Sequence, residues 1–165
     1  MILKKDLSTK KKTLFWIFSF LTVFILWFIF SHSAKTADVS SSQSEGLSIL
    51  LQKFVNTFIT DDFTFHQSSI IVRTTAHFAE FAALAFCVSG ALENGFEHLK
   101  NRKAFAFLFT AITALIDETI QIFFEGRAFQ LFDLFIDTSG GLAGILFFVL
   151  ITWIISHSVK RTKNG

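Results

Sequence analysis

Four long apolar blocks, separated by short polar stretches, set the pattern of the chain. They occupy about 13–31, 74–92, 104–124 and 138–156. A helix rises about 1.5 Å per residue, so about 20 residues cross a hydrocarbon core of about 30 Å, and each block is long enough to do so. The first and fourth contain no Asp, Glu, Lys or Arg; the second and third carry acids. Between the first two blocks, Leu47, Leu50, Leu51, Phe54, Val55 and Phe58 recur at intervals of three and four, the apolar stripe of a helix over 46–59. Ser42 and Glu45 have the spacing of a capping box just ahead of it, and the preceding 36–45 stretch is polar and rich in serine. The expected fold is all-α: a four-span transmembrane helix bundle with a short amphipathic helix in the first loop. That helix has two possible seats, flat on the membrane surface or packed against the bundle.

Composition fits this picture. Hydrophobic residues make up 52% of the 165, Phe occurs 24 times, and Pro and Tyr are absent. The formal net charge of only +2 gives no basic surface of the kind nucleic acid requires. A single cysteine, Cys87, lies within an apolar block and reads as a small buried hydrophobe. The first block has the basic start of a signal peptide, but its uncharged run of 19 residues is long for a signal core and the residues after it make a weak cleavage site, so it reads as a retained span.

The cations give the orientation. Lys4, Lys5, Lys10, Lys11, Lys12, Lys100, Arg102, Lys103, Lys160, Arg161 and Lys163 fall on one side of a four-span chain, and only Lys35, Lys53, Arg73 and Arg127 on the other. Cytoplasmic loops carry the excess of Lys and Arg, so both termini are expected in the cytoplasm. The organisation is then a basic cytoplasmic segment 1–12, a membrane domain 13–156 with an extracytoplasmic loop 32–73, and a basic tail 157–165.

An ionisable residue at the centre of a span costs about 2.5–3.5 kcal/mol on insertion scales, and by default faces the protein interior. Here such residues form a consistent set. Arg73, His77 and Glu80 fall on one stripe of the second span; Asp117, Glu118 and Gln121 lie near the end of the third; Arg127 follows; Asp133 and Asp137 lead into the fourth. With the expected topology, all of them stand in the outer half of the membrane. Glu80, Asp117 and Glu118, with His77, are the candidates for acid–base chemistry. Arg73, Gln121, Arg127, Asp133 and Asp137 are the candidates for binding. Arg73, Arg127, His77 and Asp133 also have a purely structural reading, as interhelical pairs and hydrogen-bonding groups or, for Asp133, a helix cap. His77 and Glu80, spaced i, i+3, with Asp117 or Glu118, offer an outline of a metal shell, but the set has one His, no second His–Glu pair and no thiolate, so neither metal nor cofactor is expected. Gly140 and Gly144 share a face of the fourth span and suit close helix packing rather than a nucleotide loop.

Several of these residues fall into one motif. Asp117-Glu118-x-x-Gln121-x-Phe123, then Gly126-Arg127, then Asp133-x-x-x-Asp137-Thr138-x-Gly140-x-x-x-Gly144 resembles the VanZ-like family of bacterial membrane proteins. The helix with Arg73 and His77 resembles that family's earlier basic-and-His helix. Phe30-Ser31-His32-Ser33 and Ser41-Ser42-Gln43 resemble its segment after the first span. The resemblance covers about 15–155. Glu125 departs from it, standing where the family often has Pro. The resemblance implies a bacterial envelope protein and reduced sensitivity to lipoglycopeptides such as teicoplanin. The partners it suggests are membrane lipid and a lipid-linked cell-wall precursor or the lipoglycopeptide itself. The alternative is a membrane-embedded acid–base enzyme acting on the head group of a lipid or cell-wall precursor. A small proton-coupled carrier ranks last, because the inner half of the bundle has almost no polar path.

Overall fold

A computed structural model describes residues 2–96 and 98–164, with side chains for 8–96 and 98–159. The described residues form five helices: α1 (Ile2–Ser33), α2 (Ala37–Phe58), α3 (Phe65–Gly95), α4 (Arg102–Gln121) and α5 (Leu131–Asn164). Four contain stretches long and apolar enough to cross a membrane: Ser8–Ser33, Phe65–Gly95, Arg102–Gln121 and Leu131–Val159. The fold class is the one expected. The helices run further than the apolar blocks, because polar and charged residues continue a helix once it leaves hydrocarbon. Thus α5 begins at Leu131, placing Asp133 and Asp137 inside its first two turns rather than ahead of it.

α3 is the central helix, packed against each of the other four. Its partnership with α5 is the closest, and glycine explains why. A Cβ at Gly140 would fall on the carbonyl oxygen of Phe78, and one at Gly144 on that of Ala82. The two backbones are therefore in direct contact, as small residues one turn apart allow. α1 joins the other side of α3, where Phe18 lies over Gly90 and Phe15 over Gly95. The core between these helices is Ile29, Phe81, Leu84, Ala85, Val88, Ala106, Ala114 and Ile145. Large apolar side chains also cover the outside, among them Trp16, Phe20, Trp27, Leu108, Phe135, Leu146 and Trp153. That is the surface a helix shows to lipid rather than to water.

α2 differs from expectation in its start and its seat. It begins at Thr36–Ala37, and the serine-rich stretch is part of the helix. The Ser42 and Ser48 hydroxyls bond the Val39 and Ser44 carbonyls at 2.9 Å each, so no cap forms at Ser42–Glu45. Serine hydroxyls satisfied on the preceding turn do not interrupt a helix. The capping box lies instead at Thr64–Gln67, opening α3. α2 packs on α3 through its small and polar stripe: the buried Ser48 carbonyl accepts from the Ser68 hydroxyl at 2.5 Å. The Gln52 and Asn56 amides hold Phe63 in the following turn. The apolar stripe of Leu50, Phe54 and Phe58 stays exposed, and Leu47 on the same stripe borders the cavity described below. Of the two seats, α2 takes the one on the bundle, and its apolar face is left exposed. Cys87 is buried and unpaired, as its setting suggested.

Candidate binding site at one end of the bundle

The end of α1, the first half of α3, the end of α4 and the start of α5 lie at the same end of the bundle, where the polar residues meet. α3 and α5 run parallel there, in a fixed register of 60 residues. Arg73 Nη2 donates to Asp133 Oδ2 at 2.7 Å, and one turn further in His77 Nδ1 lies 3.2 Å from Asp137 Oδ1. The i, i+4 spacing on each helix makes the two pairs rungs of one ladder. Arg73 therefore pairs with the fourth span.

α4 supplies a second network. Asp117, Glu118 and Gln121 are all within 1% of complete burial. The Gln121 amide donates to Asp117 Oδ2 at 3.1 Å and to Glu118 Oε1 at 3.2 Å, while its oxygen accepts from Arg127 Nη1 at 3.1 Å. Glu118 Oε2 accepts the backbone N–H of Gln130 at 2.7 Å. Oε2 thus fastens the α4–α5 connection while Oε1 holds Gln121 of its own helix, which makes Glu118 a brace rather than a free acid. Ser33, the last residue of α1, donates to Asp117 Oδ1. All four spanning helices contribute to this polar centre.

The α4–α5 connection bends at Gly126, whose φ of 75° lies in the left-handed region. A Cβ there would meet Ala37 Cβ at 2.9 Å, and Ala37 N–H donates to Glu125 O at 3.1 Å. Gly126-Arg127 is therefore the point where this connection clasps the start of α2 and turns Arg127 toward Gln121.

A cavity of about 520 Å³ lies between these elements. Arg73, His77, Glu80, Gln121 and Arg127 line it, together with His32, Ser33, Ser40, Ser41, Gln43, Ser44 and His66. Phe28, Leu47 and Ile70 supply apolar wall. The Nε atoms of Arg73 and Arg127 are buried without a hydrogen-bond partner among the described residues. Burial, and then the neighbouring Arg73, hold Arg127 below the ordinary guanidinium pKa; a guanidinium is still charged at neutral pH. Glu80 lies 4.0 Å from His32 and lines the cavity, whereas Asp117, Glu118 and Asp137 are buried behind it.

No spacing or charge pattern in the sequence marks the contributions of α1 and α2. Ser33, His32, Ser40 and Ser44 carry no periodic or charge signal. Their only trace was the likeness of the Phe-Ser-His-Ser and Ser-Ser-Gln segments to the family pattern. Gly140 and Gly144 pack α5 on α3, as their shared face suggested.

These features fit a helical membrane protein with four apolar helices, all of which contribute to one polar centre. A family model described as VanZ/LLP1 matches residues 18–152, and the chain belongs to that family. No curated protein and no solved structure matches it.

Proposed function

We propose that this is a plasma-membrane protein of the bacterial cell envelope, with both termini cytoplasmic. In this reading its cavity, in the outer half of the bilayer, binds an anionic head group of a membrane lipid, a lipid-linked cell-wall precursor or a lipoglycopeptide, lowering sensitivity to antibiotics such as teicoplanin. One observation carries the reading: two arginines, each with a buried and unpartnered Nε, line a cavity edged with serine hydroxyls. Guanidinium groups match phosphate and carboxylate oxygens in geometry and charge. The outward apolar stripe of α2 beside the cavity suits acyl chains.

The second reading is an acid–base enzyme on the same head group. It is favoured by Glu80, the one carboxylate among the residues lining the cavity. Two variants separate the readings when drug sensitivity is assayed in a deletion host and co-purified lipid is identified by native mass spectrometry. For a binding protein, Arg127→Ala removes both bound lipid and protection, while Glu80→Gln keeps both. For an enzyme, Glu80→Gln abolishes protection with the lipid still bound. If Arg127→Ala keeps full lipid occupancy and full protection, the binding reading fails.

A further inference from the structure

Behind the cavity floor, three side chains from three helices converge. His77 of α3, Asp117 of α4 and Asp137 of α5 each bring a ligand atom to within 4.8 Å of the others. Asp137 is completely buried. One of its oxygens faces His77, while the other, Oδ2, has no hydrogen-bond partner among the described residues. Glu80 and Glu118 add further carboxyl groups. The nearby guanidinium groups are engaged elsewhere, Arg73 on Asp133 and Arg127 on Gln121. The centre is thus rich in acids, short of cations, and holds a buried acceptor with nothing to accept.

From this juxtaposition we infer that His77, Asp117 and Asp137 bind a first-row divalent cation, Zn²⁺ or Mn²⁺. Carboxylate oxygens alone would suit Mg²⁺ or Ca²⁺ equally; the imidazole nitrogen moves the preference to a transition metal. Metal–ligand bonds are about 2.0–2.2 Å for such an ion, so its ligand atoms stand roughly 3–4 Å apart. The three atoms, within 4.8 Å of one another, would draw together on an ion. The Ser33 hydroxyl and the Gln121 amide, both bonded to Asp117, hold that carboxylate in place. Such outer partners ordinarily orient metal ligands. One dication neutralises two carboxylates at once and supplies the partner that Asp137 Oδ2 lacks. Asp117 and Asp137 stand 40 and 60 positions from His77, so no local spacing marks the trio.

The test uses the full-length protein in detergent, stripped with a chelator and reloaded with Zn²⁺ or Mn²⁺. Metal per chain is measured by mass spectrometry, and Mn²⁺ coordination by pulsed electron paramagnetic resonance. The expected result is one ion per chain, with a nitrogen coupling from histidine. His77→Gln and Asp137→Asn should each weaken binding about tenfold or more, while Asp62→Asn, an exposed acid in the α2–α3 turn, should not. The inference is overturned if wild-type protein takes up neither ion, if both variants retain it, or if bound Mn²⁺ shows no nitrogen coupling. The last readout needs no variant, so a variant that does not fold leaves the test intact. Loading is measured without added lipid, so its failure leaves the head-group reading untouched.

Discussion

At the scale of single residues, partners decide what each polar group does. The Arg73–Asp133 pair is asymmetric: the Arg73 side chain is 36% exposed and that of Asp133 only 10%. Removing Asp133 leaves a guanidinium that water can reach, whereas removing Arg73 leaves a buried carboxylate alone. Arg73→Ala is therefore expected to destabilise the protein more than Asp133→Asn, by about 1.5–3 kcal/mol on the scale of a lost charged hydrogen bond. Equilibrium unfolding in mixed micelles would check the order; equal effects would mean that the difference in burial does not decide it. Glu118 is a sharper case. Its two oxygens accept from Gln121 and from the Gln130 backbone. Glu118→Gln puts an NH₂ against one of these donors. The expected cost is about 1–3 kcal/mol, the penalty for a buried donor left unsatisfied. The loss should appear as lowered melting temperature and lowered accumulation, not as a folded protein that has lost only its protective effect.

At the scale of elements, glycines decide how closely the helices approach. A side chain at Gly144 meets α3 backbone at Ala82, which cannot move aside, whereas one at Gly141 meets the Thr110 side chain, which can. Gly144→Val should accordingly disrupt the bundle far more than Gly141→Ala, read as loss of monodisperse protein in size-exclusion chromatography. Gly126 carries a different requirement, since its φ of 75° and its contact with Ala37 both exclude a side chain. An L-residue in the left-handed region costs about 1–2 kcal/mol before any clash. Gly126→Ala should therefore lower the melting temperature and loosen the clasp on α2. Limited proteolysis between α1 and α2 would detect that opening. Similar protease resistance in the variant would mean that the clasp is not needed to hold α2.

At the scale of the whole molecule, the distribution of Lys and Arg makes a prediction about sidedness. In cells carrying Cys87→Ala, a cysteine at Asp62 should react with a membrane-impermeant maleimide from outside. One at Asn101, in the α3–α4 turn, should react only after permeabilisation. The reverse pattern would move the cavity to the cytoplasmic leaflet and end its proposed role in the envelope. Orientation is a property of the entire chain, because every loop contributes to the same asymmetry.

What the chain determined by itself follows from local chemistry. The four long apolar helices, the all-α class and the α2 stripe are readable because apolar length and 3.6-residue periodicity depend only on near neighbours in sequence. Even there, the serines of 40–44 have the composition of a loop, yet Ser42 and Ser44 hydroxyls bond the preceding turn and the helix runs through them. Only tertiary structure decided the pairings. A charge on a helix specifies a face and a depth, but not which of three other helices will meet it. The parallel register of α3 and α5 is set where Gly140 and Gly144 let two backbones touch, and that contact assigns Asp133 to Arg73 and Asp137 to His77.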